Sequence, residues 1–140
     1  MKYNEFLEKQ QQEFNDFSKG KIYYAFGTKD EILEKLQQQN VDASDLINLG
    51  NGGFIKKEFK DEFDAFLEKQ YQEKKAFTLD NVYEVVSYEC WNHEIEISLS
   101  YSYHDLVYKI VGLTKKEAKE HSYDVSKAIE DYRKEFHELN

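Results

Sequence analysis

Gly20-Lys21-Ile22-Tyr23-Tyr24-Ala25-Phe26-Gly27-Thr28-Lys29-Asp30-Glu31 decides the fold class, because it holds a helix stop, a strand and a helix start in succession. Ile22 to Phe26 is β-branched or aromatic except at Ala25 and is bounded by glycines, which is the pattern of a short strand. Thr28 is followed three residues later by Glu31. In that spacing the hydroxyl accepts from the N3 backbone N–H and the carboxylate reaches back to the cap, so a helix starts there. Ile32, Leu33 and Leu36 supply its apolar stripe. Upstream, Tyr3, Phe6, Leu7, Phe14 and Phe17 share one face of a helix that Gly20 ends. A strand set between two helices predicts an α+β chain.

Downstream of this core, Asp42-Ala43-Ser44-Asp45 opens a short helical turn, and Leu46-Ile47-Asn48-Leu49 runs from it into Gly50-Asn51-Gly52-Gly53. That glycine run predicts a tight turn, followed by a second strand at Phe54-Ile55-Lys56. From Glu58 to Lys75 the residues Phe59, Phe63, Phe66 and Leu67 recur at helical spacing. The segment Thr78–Asn92 suits a strand by propensity, but Val82, Val85, Val86, Glu89 and Cys90 form a helical stripe, and the periodicity decides for a helix. Ile95, Ile97 and Leu99 alternate with Glu96 and Ser98, which predicts a third strand. Ser102 with Asp105 starts a helix that Gly112 stops, and Thr114 with Glu117 forms another capping box. Val125, Ala128, Ile129, Tyr132 and Phe136 line one face of a terminal helix from Tyr123 to Leu139. The expected fold is therefore mostly helical α+β, with five or six helices around a small sheet of about three short strands. With no proline, no Gly/Ser linker and no internal repeat, residues 1–140 read as a single globular domain.

Ten Phe, eleven Tyr and one Trp must supply much of the burial in a chain of mean hydropathy −0.84. Each buries about 150–250 Å². The formal charge of −9 argues against direct binding to nucleic acid, whose phosphates would be repelled. A single cysteine cannot close an internal disulfide, and the first residues lack the basic and apolar regions of a secretory signal. No apolar run approaches the roughly 20 residues that span a bilayer. The expectation is a cytoplasmic protein that does not enter a membrane.

Tyr88-Glu89-Cys90-Trp91-Asn92-His93-Glu94 is the stretch densest in reactive side chains. Cys90 and His93 are one helical turn apart, but a zinc site needs three or four ligands, and His104, His121 and His137 follow no ligand spacing. The reading is a buried cysteine beside a helix-capping Asn-His pair, with no metal, no cofactor and no catalytic residue. Gly50 to Gly53 followed by Lys56 and Lys57 offers N–H groups and cations to an anion, yet lacks the phosphate-loop spacing and a helix to receive the phosphate. From Leu79 to Gly112, six acids face only Lys109 and are interleaved with aromatics. Glu84, Tyr88, Glu89, Trp91, Glu94, Glu96, Tyr101, Tyr103 and Asp105 then compose an acidic, Tyr-rich surface suited to a basic protein partner. Its aromatics would supply contact area and its acids would steer encounter.

Several blocks resemble a family of small uncharacterised proteins encoded by bacteriophages and prophages. They are Tyr24-Ala25-Phe26, the run from Ile47 to Lys57, Asn92-His93-Glu94, and Gly112-Leu113-Thr114 with Glu117, together covering about residues 22–120. The resemblance brings no catalytic residue. It implies an accessory protein that disables a host factor, and with the acidic surface it gives an expected inhibitor of a host defence nuclease of CRISPR or restriction type. Two other functions stay open at this point. One is a ligand-binding domain or enzyme with a pocket near Gly50–Gly53 and His93 as acid/base. The other is a phage structural or assembly accessory.

Overall fold

A computed structural model of the chain describes residues 1–93 and 103–139. Its elements are α1 (Tyr3–Ser18), β1 (Ile22–Tyr24), α2 (Lys29–Gln38), a 3₁₀ turn (Ala43–Asp45), β2 (Leu46–Gly50), β3 (Gly53–Lys56), a second 3₁₀ turn (Lys57–Phe59), α3 (Lys60–Asp80), α4 (Val82–Asn92), a π-helical segment (Asp105–Ile110), α5 (Lys115–Glu120) and α6 (Ser122–Leu139). The fold is mostly helical α+β, as expected. Among the described residues, no helix is long and apolar enough to cross a membrane. The chain groups into two compact units, Asn4–Gln70 and Tyr71 onward with Met1–Tyr3, and each is described by itself.

The first unit is built on an antiparallel sheet of order β1-β3-β2. Its register sets Ile22, Ile55 and Ile47 side by side in one row. That row packs with Phe14, Phe17, Phe59 and Phe63. Phe17 stacks on Phe66 at 4.5 Å, and Gln10 and Gln70 exchange amide-to-carbonyl hydrogen bonds of 2.9 Å, so α1 and the first half of α3 are locked together. The neighbouring row, Tyr23, Phe54 and Asn48, turns to the opposite face because successive strand residues alternate. There Tyr23, Phe54, Leu46 and Ala25 pack with Leu36 and Ile32 of α2. The capping box at Thr28 and Glu31 forms as predicted. Leu33 does not join the stripe: it is 43% exposed. Leu67 of α3 likewise stays largely outside.

The sheet differs from the sequence expectation at one strand. Leu46–Gly50 is β2 and not a passage into a loop, and Asn51-Gly52 is the turn of a β2–β3 hairpin. Asn51 and Gly52 both have positive φ, 50° and 80°, as a two-residue hairpin turn requires. The predicted strand at Ile95, Ile97 and Leu99 lies outside the described residues.

In the second unit α4 packs chiefly on α6. Val82, Val85, Val86, Glu89 and Cys90 are the buried stripe of α4, as its periodicity predicts. Val125, Ala128 and Tyr132 are buried on α6, and Leu106 and Val107 on the π-helical segment. The helix expected from Thr78 to Asn92 is two helices, since α3 runs on to Asp80 and breaks at Asn81, whose side chain donates to the Phe77 carbonyl at 2.9 Å. Gly112, at φ 85°, ends the segment before α5, and Thr114 and Glu117 form the second capping box. Lys75 braces this corner by donating to the Gly112 carbonyl and, at 2.8 Å, to Glu117.

Candidate partner-binding surface

Three large aromatics of α4 lie outside its buried stripe. Tyr83 is 40% exposed, Tyr88 36% and Trp91 38%. Each is nevertheless held at one side. The Tyr83 hydroxyl donates to Asp131 of α6 at 2.6 Å, and Trp91 meets Tyr132 edge-on with ring centroids 4.8 Å apart. Tyr88 meets Tyr3 edge-on at 5.0 Å. Tyr103, also exposed, packs edge-on against Tyr108 at 6.1 Å. Such rings present apolar area to solvent without losing rotamer freedom when a partner arrives.

The predicted acids behave differently. Both carboxylate oxygens of Glu84 accept from the Tyr3 backbone N–H, at 3.1 and 3.2 Å. That N–H belongs to the first turn of α1, where donors lack intrahelical partners and the helix dipole favours an anion. Glu89 is only 8% exposed and faces inward with the valines of α4. It accepts the Tyr3 hydroxyl at 3.2 Å, and His93 Nε2 lies 3.0 Å from its other oxygen. Burial first, and then the Glu89 charge, hold the Tyr3 phenol well above its ordinary range. Asp105 sits 3.3 Å from Lys109 and 3.8 Å from His104. Glu94, Glu96 and Tyr101 lie outside the described residues. The structure thus brings Tyr88 and Trp91 to one helix face and takes Glu84 and Glu89 into bonds within the chain.

Asp131 is a member of this surface that sequence reasoning missed. Its Tyr83 hydrogen bond, then Lys127 at 2.9 Å, hold its carboxyl below the usual range. No local pattern joins residues 48 positions apart, so only the packing of α4 on α6 reveals the pair.

Cys90 is fully buried, and burial pushes its thiol up to about 11, so at neutral pH it is protonated and a poor nucleophile or ligand. His93 occupies the C-terminal cap of α4, its N–H donating to the Glu89 carbonyl at 3.1 Å. Among the described residues, no three His, Cys, Asp or Glu side chains gather to hold a metal ion. The glycines of Gly50–Gly53 serve the hairpin: a Cβ on Gly52 would stand 2.2 Å from the Phe26 ring. A polar cleft of about 470 Å³ lies at the opposite end of that hairpin, lined by Asp42, Asp45, Lys56, Lys57 and Glu58 among others. Lys56 and Leu46 face each other there, whereas Gly50 and Gly53 close the turn.

The chain belongs to a family of unknown function, DUF7659, and the match spans residues 2–135. That span includes all the blocks on which the sequence resemblance rests, with α1 and most of α6 added. No curated protein and no solved structure matches the chain.

Proposed function

We propose that this protein acts by docking and not by catalysis, as a phage-encoded accessory that binds and inhibits a host defence nuclease. The observation that supports the reading most is the set of exposed but braced aromatics on α4, Tyr83, Tyr88 and Trp91. Tyrosine and tryptophan are the residues that dominate binding energy at protein interfaces, and rings already fixed by their own chain lose little entropy on binding. The acidic character of the whole chain makes a basic nucleic-acid channel the natural counterpart, although the aromatics and not Glu84 or Glu89 supply the contact. Inhibition then follows from competition, since a channel occupied by this protein excludes nucleic acid.

The test is a titration of the tagged protein against purified restriction and CRISPR nucleases at increasing salt. The expected result is stoichiometric binding to at least one nuclease, displaced by its nucleic acid and weakened as salt rises. Absence of binding across the panel at low salt, with the protein folded, removes the nuclease reading.

A further inference from the structure

β2 has a composition unlike the rest of the surface. Leu46 to Ile55 is ten residues without a charge in a chain that is 34% charged, and it contains neither lysine nor proline. Edge strands ordinarily carry such residues, because the unpaired N–H and C=O groups of an edge recruit other strands. β2 is an edge: it pairs with β3 on one side, and among the described residues nothing pairs with its other side.

A groove lies beside that edge. It measures about 400 Å³ and is lined by Ile32, Leu33 and Leu36 of α2 together with Leu46, Asn48 and Phe54 of the hairpin, besides Lys29 and Ala43. Its position follows from how α2 is tethered. Lys35 donates to the Phe26 carbonyl and Gln39 to the Tyr24 carbonyl, both at the β1 side of the sheet, while on the β2 side Leu46 is buried against Leu36, and Leu33 and Asn48 stay exposed. Leu33, misplaced as core by sequence, is the exposed wall of this groove. Lys29 is its one charged lining residue, exposed and without an ion-pair partner among the described residues.

We propose that the β2 edge and this groove form a peptide-binding site that takes an extended segment of another protein as an added strand. The backbone of β2, unpaired on its outer side among the described residues, calls for another extended backbone, the apolar walls receive alternate side chains, and Lys29 selects an acidic residue beside them. The site is made of residues of the Asn4–Gln70 unit and shares none with the aromatics of α4, so it does not depend on the nuclease reading.

Fluorescence anisotropy tests it with a labelled ten-residue peptide that alternates valine and serine and carries one glutamate. Its lysine counterpart and a version N-methylated at alternate residues serve as probes of charge and of backbone pairing. The expected result is saturable binding of the glutamate peptide, weakened roughly tenfold or more by Leu33→Glu, with circular dichroism unchanged. Lys29→Glu should reverse the preference between the glutamate and lysine peptides. No binding by about 1 mM, or equal binding of the N-methylated peptide, overturns the proposal. So does sedimentation showing that the free protein already self-associates and that Leu33→Glu abolishes it, since the occupant is then a second copy.

Discussion

At the scale of single residues, Glu89 shows two readings of one side chain in competition. The charge count of Leu79–Gly112 sets it on a docking surface, while the helical stripe sets it inward with Val82, Val85, Val86 and Cys90. The stripe prevails, because a carboxylate tolerates burial when hydrogen bonds replace water, and Tyr3 and His93 provide them. Gly52 shows the opposite case, where a residue type is explained by what lies over it. It combines a φ of 80° with the Phe26 ring seated where a Cβ would be. Gly20, at φ 72°, has open space there. Gly52→Ala is therefore expected to cost more stability than Gly20→Ala in urea unfolding, about 2–3 against about 1 kcal/mol. Because the Phe26 ring is 59% exposed, adding Phe26→Ala to Gly52→Ala should narrow that gap. Equal costs at Gly20 and Gly52 would show that the ring contact carries no weight.

At the scale of elements, the two capping boxes were legible because their chemistry is contained within four residues. β2 was not, although its Asn51-Gly52 turn is a strong hairpin signal: three glycines in the four residues Gly50–Gly53 read as a loop, and a bulge at Leu49 interrupts the alternation of Ile47 with its neighbours. The break at Asn81 was equally hidden, since Thr78 and Val82 continue a helical pattern across it. Lys75 bracing the Thr114–Glu117 cap has a pH signature. Its hydrogen bond to Glu117 first, then the Thr114 backbone, hold the Glu117 carboxyl below the usual glutamate range. A depressed folded-state pKa contributes stability that is present above the unfolded value, about 4.3, and is lost as pH falls through the folded one. Lys75→Met should accordingly destabilise the protein by about 1 kcal/mol at pH 7 and by less below pH of about 3. Urea midpoints at the two pH values check this, and a difference that grows on acidification would contradict it.

At the scale of the whole molecule, acidity alone does not pick out a surface. Residues 4–70 carry 14 acids against 9 basic residues, and the rest of the chain 14 against 10, so the charge is spread over both units. What distinguishes the outer face of α4 is its braced aromatics, and these were legible in sequence only as residue types. Tyr88 and Trp91 lie three apart on one helix, but their contacts with Tyr3 and Tyr132 join positions 85 and 41 residues distant. The measurement that bears most directly on the docking account is calorimetric titration of Tyr88→Ser and Trp91→Ser into the nuclease that binds the parent protein, with urea midpoints measured alongside. The account predicts that each variant stays folded and loses about tenfold or more in affinity, about 1.4 kcal/mol or more. Unchanged affinity in both folded variants would place the interface elsewhere on the molecule and contradict the account.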